Sequence, residues 1–141
     1  MKEFFELDEA QKKVLEKQLR QYPYIDRLIA IRESELDKRD DVDENIGGSR
    51  SGFIGKPTEA TAIKRQSDEY IIRHQCLKQH IEEIIRGMDD TTRKMAHKRY
   101  WDEANYYTWE DIAREHHYSV ATIYRKRDKI LMTLAKKQGI L

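Results

Sequence analysis

Residues 108–139, TWEDIAREHHYSVATIYRKRDKILMTLAKKQG, decide the fold, because they predict two helices separated by a tight turn. Thr108 is a suitable N-cap for the first helix, since its side-chain oxygen can accept from the free N–H groups of the first turn. Ser119 has the same role before the second helix, which we expect to extend from Val120 to Lys137. A gap of three or four residues between two helices is typical of a helix-turn-helix, which we place at 108–137.

Both predicted helices carry apolar residues at helical spacing. The apolar positions of the first helix fall at i, i+3 and i+4, and those of the second are spaced by seven, one and three. The residues predicted to be buried are Trp109, Ile112 and Ala113 in the first helix, and Ile123, Ile130, Leu131 and Leu134 in the second. The small side chain of Ala113 would allow the second helix to cross the first closely.

The second helix is strongly basic. Residues 117–141 contain six Lys or Arg and one Asp, a local net charge of +5. A narrow basic helix end fits the major groove of DNA, and recognition helices contact bases from their first turn and a half. Arg125 is suited to a guanine edge, and Val120, Ala121 or Thr122 is suited to a thymine methyl group. We therefore predict base contacts from Val120, Ala121, Thr122, Tyr124 and Arg125.

Other polar residues are better placed for DNA phosphates, which set affinity and register rather than sequence preference. The candidates in the helix-turn-helix are Ser119, Lys126, Arg127 and Lys129. Arg50, in a glycine-rich stretch, is a further candidate for the DNA backbone, although a solvated linker also explains that stretch. The alternative interpretation of the second helix is a basic amphipathic helix that only packs.

The charge is unevenly distributed along the 141 residues. The net charge is +1, but residues 1–46 carry nine basic and thirteen acidic side chains, whereas the remainder carries eighteen and thirteen. This asymmetry favours a basic binding surface in the C-terminal part. A single cysteine, Cys76, excludes an internal disulfide. Because no apolar run approaches the length of a membrane span, we predict no membrane partner and a cytoplasmic location.

The order of patterns along the chain predicts an all-α fold in three parts. Residues 1–38 are predicted to form an N-terminal helical hairpin with a break at Pro23, which cannot donate its N–H. Residues 39–57 contain four of the six glycines and are predicted to be a linker. Residues 58–141 are predicted to form a helical domain that ends in the helix-turn-helix. The hairpin is either a partner-binding or self-association element, or a support for the fold.

Three more helices are predicted, over 58–66, 69–87 and 91–102. The second of them has a coiled-coil-like seam of Tyr70, Leu77 and Ile84, with His74, Ile81 and Met88 offset by four. This seam indicates either a dimer contact or a helix that buries the C-terminal module. The basic side chains of the third helix are expected to face outward, where they could approach a phosphate strand: Arg93, Lys94, Lys98 and Arg99.

The sequence lacks the constellations that catalysis, nucleotide binding or metal binding requires. Residues 50–57 depart from a phosphate-binding loop, which needs Gly-Lys followed by Ser or Thr. His74, Cys76 and His80 have no second pair of ligands to complete a structural zinc site. Ser119 has neighbouring histidines but no orienting carboxylate or oxyanion donors. We therefore predict that the protein is not an enzyme and needs no metal or cofactor.

Five motifs together resemble a known family. They are NIGGSRSG at 45–52, PTE at 57–59, YW at 100–101, WEDIA at 109–113 and SVATIYR at 119–125. These motifs resemble the RinA-type phage transcriptional regulators, and the C-terminal ones resemble the related ArpU-type regulators. The helix-turn-helix also resembles region four of bacterial sigma factors. That likeness implies that Ser119, Val120, Thr122, Tyr124 and Arg125 face DNA.

The resemblance implies an activator of late genes in phages or prophages of Gram-positive bacteria. Its target would be double-stranded DNA at a promoter or operator, and contact with RNA polymerase is compatible with that role. A second interpretation stays open: a helical interaction protein that docks on RNA polymerase or another phage protein without reading DNA. Self-association as a homo-oligomer is also left open by the residues.

Overall fold

The computed structural model describes residues 6–46, 59–104 and 107–141, with the side chains of 39–46 excepted. Within these ranges the chain is helical and contains no strand, which confirms the predicted all-α class. The helices are α1 (Glu9–Gln21), α2 (Ile25–Ile46), α3 (Glu59–Ser67), α4 (Glu69–Gly87), α5 (Asp90–Ala96), α6 (Trp109–Glu115) and α7 (Val120–Lys137). A 3₁₀ turn, Tyr22–Tyr24, joins α1 to α2, and a π-helical turn, His97–Trp101, follows α5.

The chain forms two compact units that do not follow the order of the sequence. The first contains Met1–Pro23 and Leu77–Leu141, and the second contains Tyr24–Cys76. The helix α1 therefore belongs with the helix-turn-helix, whereas α2 packs against α3. This division differs from the predicted parts 1–38, 39–57 and 58–141. Helix α2 also continues to Ile46, past the predicted end at 38, because residues 39–46 contain neither Gly nor Pro to stop it.

Helix α1 begins with a capping box. The Asp8 side chain accepts from the N–H of Gln11 at 2.7 Å, and the Gln11 side chain accepts from the N–H of Asp8 at 3.0 Å. Leu15 and Leu19 of this helix are buried. Val14, which lies next to Leu15 in the sequence, is 55% exposed, so the buried stripe of α1 is narrow.

The core of the first unit lies where α1, α6 and α7 meet. Burial of one large apolar side chain contributes about 1.5–3 kcal/mol, so a few such residues account for much of the stability of a small unit. All seven residues predicted to be buried in the helix-turn-helix are buried. The fully buried side chains of this unit include Leu15, Leu19, Ile81, Met95, Ile112, Ile123, Leu131 and Leu134.

A carboxylate from α1 reaches into this core. The Glu16 side chain, 12% exposed, accepts from the Tyr100 hydroxyl at 3.0 Å and from the Trp109 indole N–H at 3.4 Å. Its other oxygen lies 3.9 Å from the guanidinium of Arg127, which also binds Asp128 at 2.9 Å. Burial, together with the nearby carboxylate, raises the pKa of Tyr100. Because a buried charge is costly unless it is paired, these contacts fix α1 against α6 and α7.

The π-helical turn after α5 places two adjacent aromatic residues against α1. The Trp101 indole N–H donates to the Leu19 carbonyl at 2.7 Å, and Tyr100 donates to Glu16. The rings of Tyr100 and Trp109 meet edge to face, with centroids 5.6 Å apart. The predicted helix 91–102 therefore exists, but it changes from α to π geometry at His97, which its apolar periodicity did not indicate.

The second unit has a smaller core and two ion-pair clusters. Its buried residues are Ile25, Ile29, Leu36, Thr61 and Ile71. Arg32 of α2 donates to both carboxylate oxygens of Asp68, at 3.1 and 2.9 Å, and this bidentate contact lowers the pKa of Asp68. Arg65 of α3 pairs with Asp37 and lies 3.7 Å from Glu33. These contacts hold α2, α3 and the beginning of α4 together.

The predicted seam of α4 is only partly buried. Ile81 and Ile84 lie in the core of the first unit. Tyr70, at the other end of the helix, is exposed and stacks on His74 with ring centroids 4.0 Å apart. The C-terminal half of the seam therefore packs in the unit that contains the helix-turn-helix. This agrees with the second interpretation of the seam, a helix that buries the C-terminal module.

We expect Glu16→Gln to lower the free energy of unfolding by about 1–3 kcal/mol, because Arg127 would lose one of its two carboxylate partners and the hydrogen bonds from Tyr100 and Trp109 would lose their charged acceptor. Chemical denaturation of the purified protein measures this change. The matched control is Glu103→Gln, which neutralises an exposed carboxylate and should change stability by less than about 0.5 kcal/mol. Equal effects of the two substitutions would contradict the structural role of Glu16.

Candidate nucleic-acid interface

The turn between α6 and α7 is closed by backbone hydrogen bonds. Helix α6 begins with a capping box between Thr108 and Asp111, as its predicted N-cap requires. It ends where His117 adopts a left-handed conformation with φ of 59°. The N–H of His117 then donates to the Arg114 carbonyl at 3.3 Å, and that of Tyr118 donates to the Ala113 carbonyl at 2.9 Å. This pair of bonds is a Schellman motif, so the direction of the turn is fixed locally.

Helix α7 ends in the same motif, with glycine in place of histidine. Gly139 has φ of 74°, and its N–H donates to the Lys136 carbonyl at 3.1 Å. The N–H of Ile140 donates to the Ala135 carbonyl at 2.9 Å. Left-handed backbone costs a residue with a Cβ about 1–2 kcal/mol. The left-handed backbone is therefore strained at His117, in the turn of the helix-turn-helix, but not at Gly139, which has no Cβ.

The start of α7 is capped as predicted. Ser119 Oγ accepts from the Thr122 N–H at 3.1 Å and lies 2.8 Å from the Thr122 hydroxyl. Ser119 is exposed and Thr122 is half-buried. The two hydroxyl groups therefore bind each other at the leading end of the helix, on its accessible side.

The face of α7 that points away from the core is basic. Ala121, Arg125 and Lys129 lie at successive spacings of four, so they share one side of the helix, and all three are exposed. Val120 is 47% exposed, and Tyr124 is half-buried. Arg125 has no ion pair with any residue in the part of the chain that the structure describes. The predicted base-contacting residues are therefore together at an accessible helix end.

Lys126 borders this face, and Lys129 lies within it. The ammonium group of Lys126 lies 5.4 Å from the centroid of the Tyr118 ring. Hydrogen bonds from Thr92 lower the pKa of Asp89, and the positive charges of Lys126 and Lys129 lower it further. Both lysines are therefore near the carboxylate that caps α5.

Arg127 does not fit the predicted role as a phosphate contact. Its side chain is 13% exposed and binds Asp128 and Glu16 within the first unit. The guanidinium carbon lies 4.7 Å from the centroid of the Tyr124 ring. Arg127 lies four residues after Ile123 and three before Ile130, so its side chain is on the same face of α7 as these two buried residues.

Two basic residues near α5 are partly exposed but already have partners. Arg93 donates to the carbonyls of Ile85 and Met88, at 3.3 and 2.8 Å, and thereby closes the connection between α4 and α5. Lys98 binds the carboxylate of Glu115. Their side chains are 43% and 28% exposed, so they do reach the surface, but their cationic groups are engaged there. Arg50, the predicted contact in the linker, lies outside the described residues.

A hydrogen bond across the two helices was missed by the sequence reasoning. The Tyr124 hydroxyl donates to Glu110 Oε1 at 2.6 Å. This bond raises the pKa of Tyr124 and lowers the pKa of Glu110. Glu110 is an exposed residue, and hydrogen bonds from its own backbone N–H and from the Thr108 side chain also lower the pKa of its carboxyl group. The two residues are fourteen positions apart, and only the crossing of α6 and α7 brings them together.

A cleft of about 350 Å³ lies beside α7, between the end of α4 and the start of α5. Its floor contains Ile84 and Ile130, and Lys137 binds Glu83 at 2.6 Å along its wall. Within the described ranges, no group of three or more His, Cys, Asp or Glu side chains is arranged to hold a metal ion. In those same ranges, every helix is too short or too polar to cross a membrane.

The fold and its exposed basic helix define an all-α protein with a C-terminal helix-turn-helix. The chain belongs to the family described as "Protein of unknown function (DUF722)", whose model matches residues 11–136. Comparison with curated proteins and comparison with solved structures gave no match.

We expect His117→Gly to raise the free energy of unfolding by up to about 1 kcal/mol, because glycine adopts the left-handed backbone without strain. Gly139→Ala should lower the free energy of unfolding by about 1 kcal/mol, because alanine is strained in the left-handed conformation. The added Cβ would meet no atom within 4 Å, so a steric clash does not contribute to this loss. Thermal and chemical unfolding measure both changes. His117→Ala is the control: it removes the imidazole but keeps the Cβ, so a gain equal to that of glycine would contradict the backbone explanation.

We expect Glu110→Gln to lower the pKa of Tyr124 towards the ordinary tyrosine value of about 10, because the carboxylate that holds the phenolic proton is lost. The Tyr124 titration is obtained as the difference in phenolate absorbance between each protein and its Tyr124→Phe derivative. Glu103→Gln should leave this titration unchanged. A Tyr124 titration that is identical in wild type and Glu110→Gln would show that the hydrogen bond does not form in solution.

Proposed function

We propose that this protein is a sequence-specific regulator of transcription that binds double-stranded DNA with α7 as its recognition helix. The observation that carries the proposal is the exposed Ala121, Arg125 and Lys129 face, which begins at a capped helix end after a fixed turn. An α-helix fits the major groove, and the residues of its first turns are those that reach base edges.

Base recognition is assigned to the leading end of α7. Arg125 has no internal partner among the described residues, so its planar guanidinium is available for the two acceptors of guanine. Val120 and Ala121 present aliphatic groups that suit a thymine methyl. Thr122 and Tyr124 border the same end and add polar groups to it. These five residues are the base-reading set of the proposal.

Affinity for the DNA backbone is assigned to Ser119, Lys126 and Lys129. Each cation that neutralises a phosphate releases condensed counterions, so binding should weaken as the salt concentration rises. Arg127 is left out of this set because it is engaged with Asp128 and Glu16. The proposed phosphate contacts of α7 are therefore fewer than its six basic residues indicate.

The biological role rests on the resemblance to RinA-type regulators. On that basis we propose activation of phage or prophage late genes in the cytoplasm of a bacterial host, without an enzymatic activity. Contact with RNA polymerase belongs to the same proposal, because an activator at a promoter works next to the enzyme.

A second candidate function is docking on RNA polymerase or another phage protein without reading DNA. Large apolar side chains that are exposed on the second unit favour it: Tyr24, Ile31, Ile63 and Ile72. Single exposed apolar residues are common on protein surfaces, so this observation is weaker than the basic face of α7.

We expect Arg125→Ala to reduce affinity for the specific site by about 5- to 100-fold, with a smaller effect on unrelated duplexes, because the lost contact reads a base. Lys129→Ala should weaken both kinds of binding alike and lower the slope of log affinity against log salt by about one. Binding titrations at several salt concentrations measure these changes, after selection of the site from a random duplex library.

The matched control is Arg86→Ala, which removes an exposed arginine at the end of α4 and should leave specific binding unchanged. Wild-type binding that shows neither sequence preference nor salt dependence would contradict the proposal and favour the second candidate. Unchanged specific binding in Arg125→Ala would remove α7 as the reading element.

A further inference from the structure

The contact between Glu110 and Tyr124 stands beside the base-reading end of α7. Tyr124 precedes Arg125 and lies one turn after Val120, which is 47% exposed. Its hydroxyl group donates to a carboxylate oxygen of Glu110 at 2.6 Å, and Glu110 is itself exposed. The pair therefore borders the groove-facing surface assigned above.

This contact fixes the hydrogen-bonding polarity of the tyrosine. A phenol carries one proton and can accept through its lone pairs, whereas an ionised carboxylate can only accept. Since the proton of Tyr124 is committed to Glu110, the phenolic oxygen has only acceptor capacity left for a ligand. The ionised carboxylate of Glu110 can likewise only accept, so the pair presents acceptors alone.

We propose that Glu110 and Tyr124 form a specificity-determining pair that selects adenine or cytosine at one position of the DNA site. In the major groove, adenine N6 and cytosine N4 are donors, whereas guanine N7 and O6 and thymine O4 are acceptors. Acceptors of the pair would bind the amino groups and repel the other edges. This inference rests on the proposed function and extends the reading surface from α7 to a residue of α6.

A further contact, made by Arg127 with the ring of Tyr124, holds the pair in position. The guanidinium of Arg127 lies 4.7 Å from the centroid of the Tyr124 ring, and Arg127 is held by Asp128 and by Glu16 in the core. The ring of Tyr124 therefore packs against the Arg127 guanidinium, while its hydroxyl group is held by Glu110 of α6. The carboxylate of Glu110 would also repel the acceptor groups of a guanine or thymine edge, so a duplex that offers no amino group there is disfavoured.

The test is selection of bound sequences from a random duplex library with the wild type, Glu110→Gln, Tyr124→Phe and Glu103→Gln. The wild type should favour adenine or cytosine at one position. A glutamine amide can donate to the phenolic oxygen and release its proton toward the base, so Glu110→Gln should reduce that preference about three- to tenfold. Tyr124→Phe should reduce it at the same position, and Glu103→Gln should preserve the wild-type profile. Circular dichroism establishes that each variant is folded.

Sequence profiles of Glu110→Gln and Tyr124→Phe that equal the wild-type profile would overturn the inference. So would a uniform rise in affinity of Glu110→Gln for every sequence, because the carboxylate would then only repel phosphates. A wild-type protein that enriches no sequence would instead contradict the proposed function itself. Loss of preference at another position in Arg125→Ala shows separately that α7 reads DNA.

Discussion

The buried carboxylate of Glu16 is the interaction on which the arrangement of the helix-turn-helix depends. It receives hydrogen bonds from Tyr100 and Trp109 and lies 3.9 Å from the Arg127 guanidinium. A carboxylate in this position is stable only when its oxygens are paired, so the three partners are constrained together. Through them, the N-terminal helix α1 determines how α6 and α7 stand in the first unit.

The basic residues of α7 include two groups, those paired with carboxylates of the first unit and those that remain exposed and unpaired among the described residues. Arg127 is largely buried and paired with Glu16 and Asp128, and Lys137 forms an ion pair with Glu83 at the surface. Arg125 and Lys129 remain exposed on the opposite side. The number of unpaired cations on α7 is therefore smaller than the number of Lys and Arg residues in its sequence. If α7 binds DNA as proposed, this smaller number limits how many phosphates it can neutralise.

Caps and chain reversals act at shorter range. Thr108 and Ser119 bind N–H groups three residues away, and His117 and Gly139 allow two Schellman motifs with the same hydrogen bonds. The left-handed conformation of His117 places α7 at a fixed angle to α6. That angle also brings Glu110 to Tyr124, so the local turn and the contact between the two helices are linked.

The sequence by itself determined the helical class, the caps at Asp8, Thr108 and Ser119, and the buried faces of α6 and α7. These features depend on residues within one or two turns of each other, whose spacing the sequence contains directly. It also placed the candidate base-reading residues at the start of α7, where they are accessible. Only the tertiary structure decided which cations turn inward, that α1 joins the C-terminal unit, and that Glu110 meets Tyr124. Those outcomes depend on residues that are far apart in the sequence, from 14 positions for Glu110 and Tyr124 to 120 for Gln18 and Gln138, and their proximity is set by how whole helices pack rather than by any local pattern.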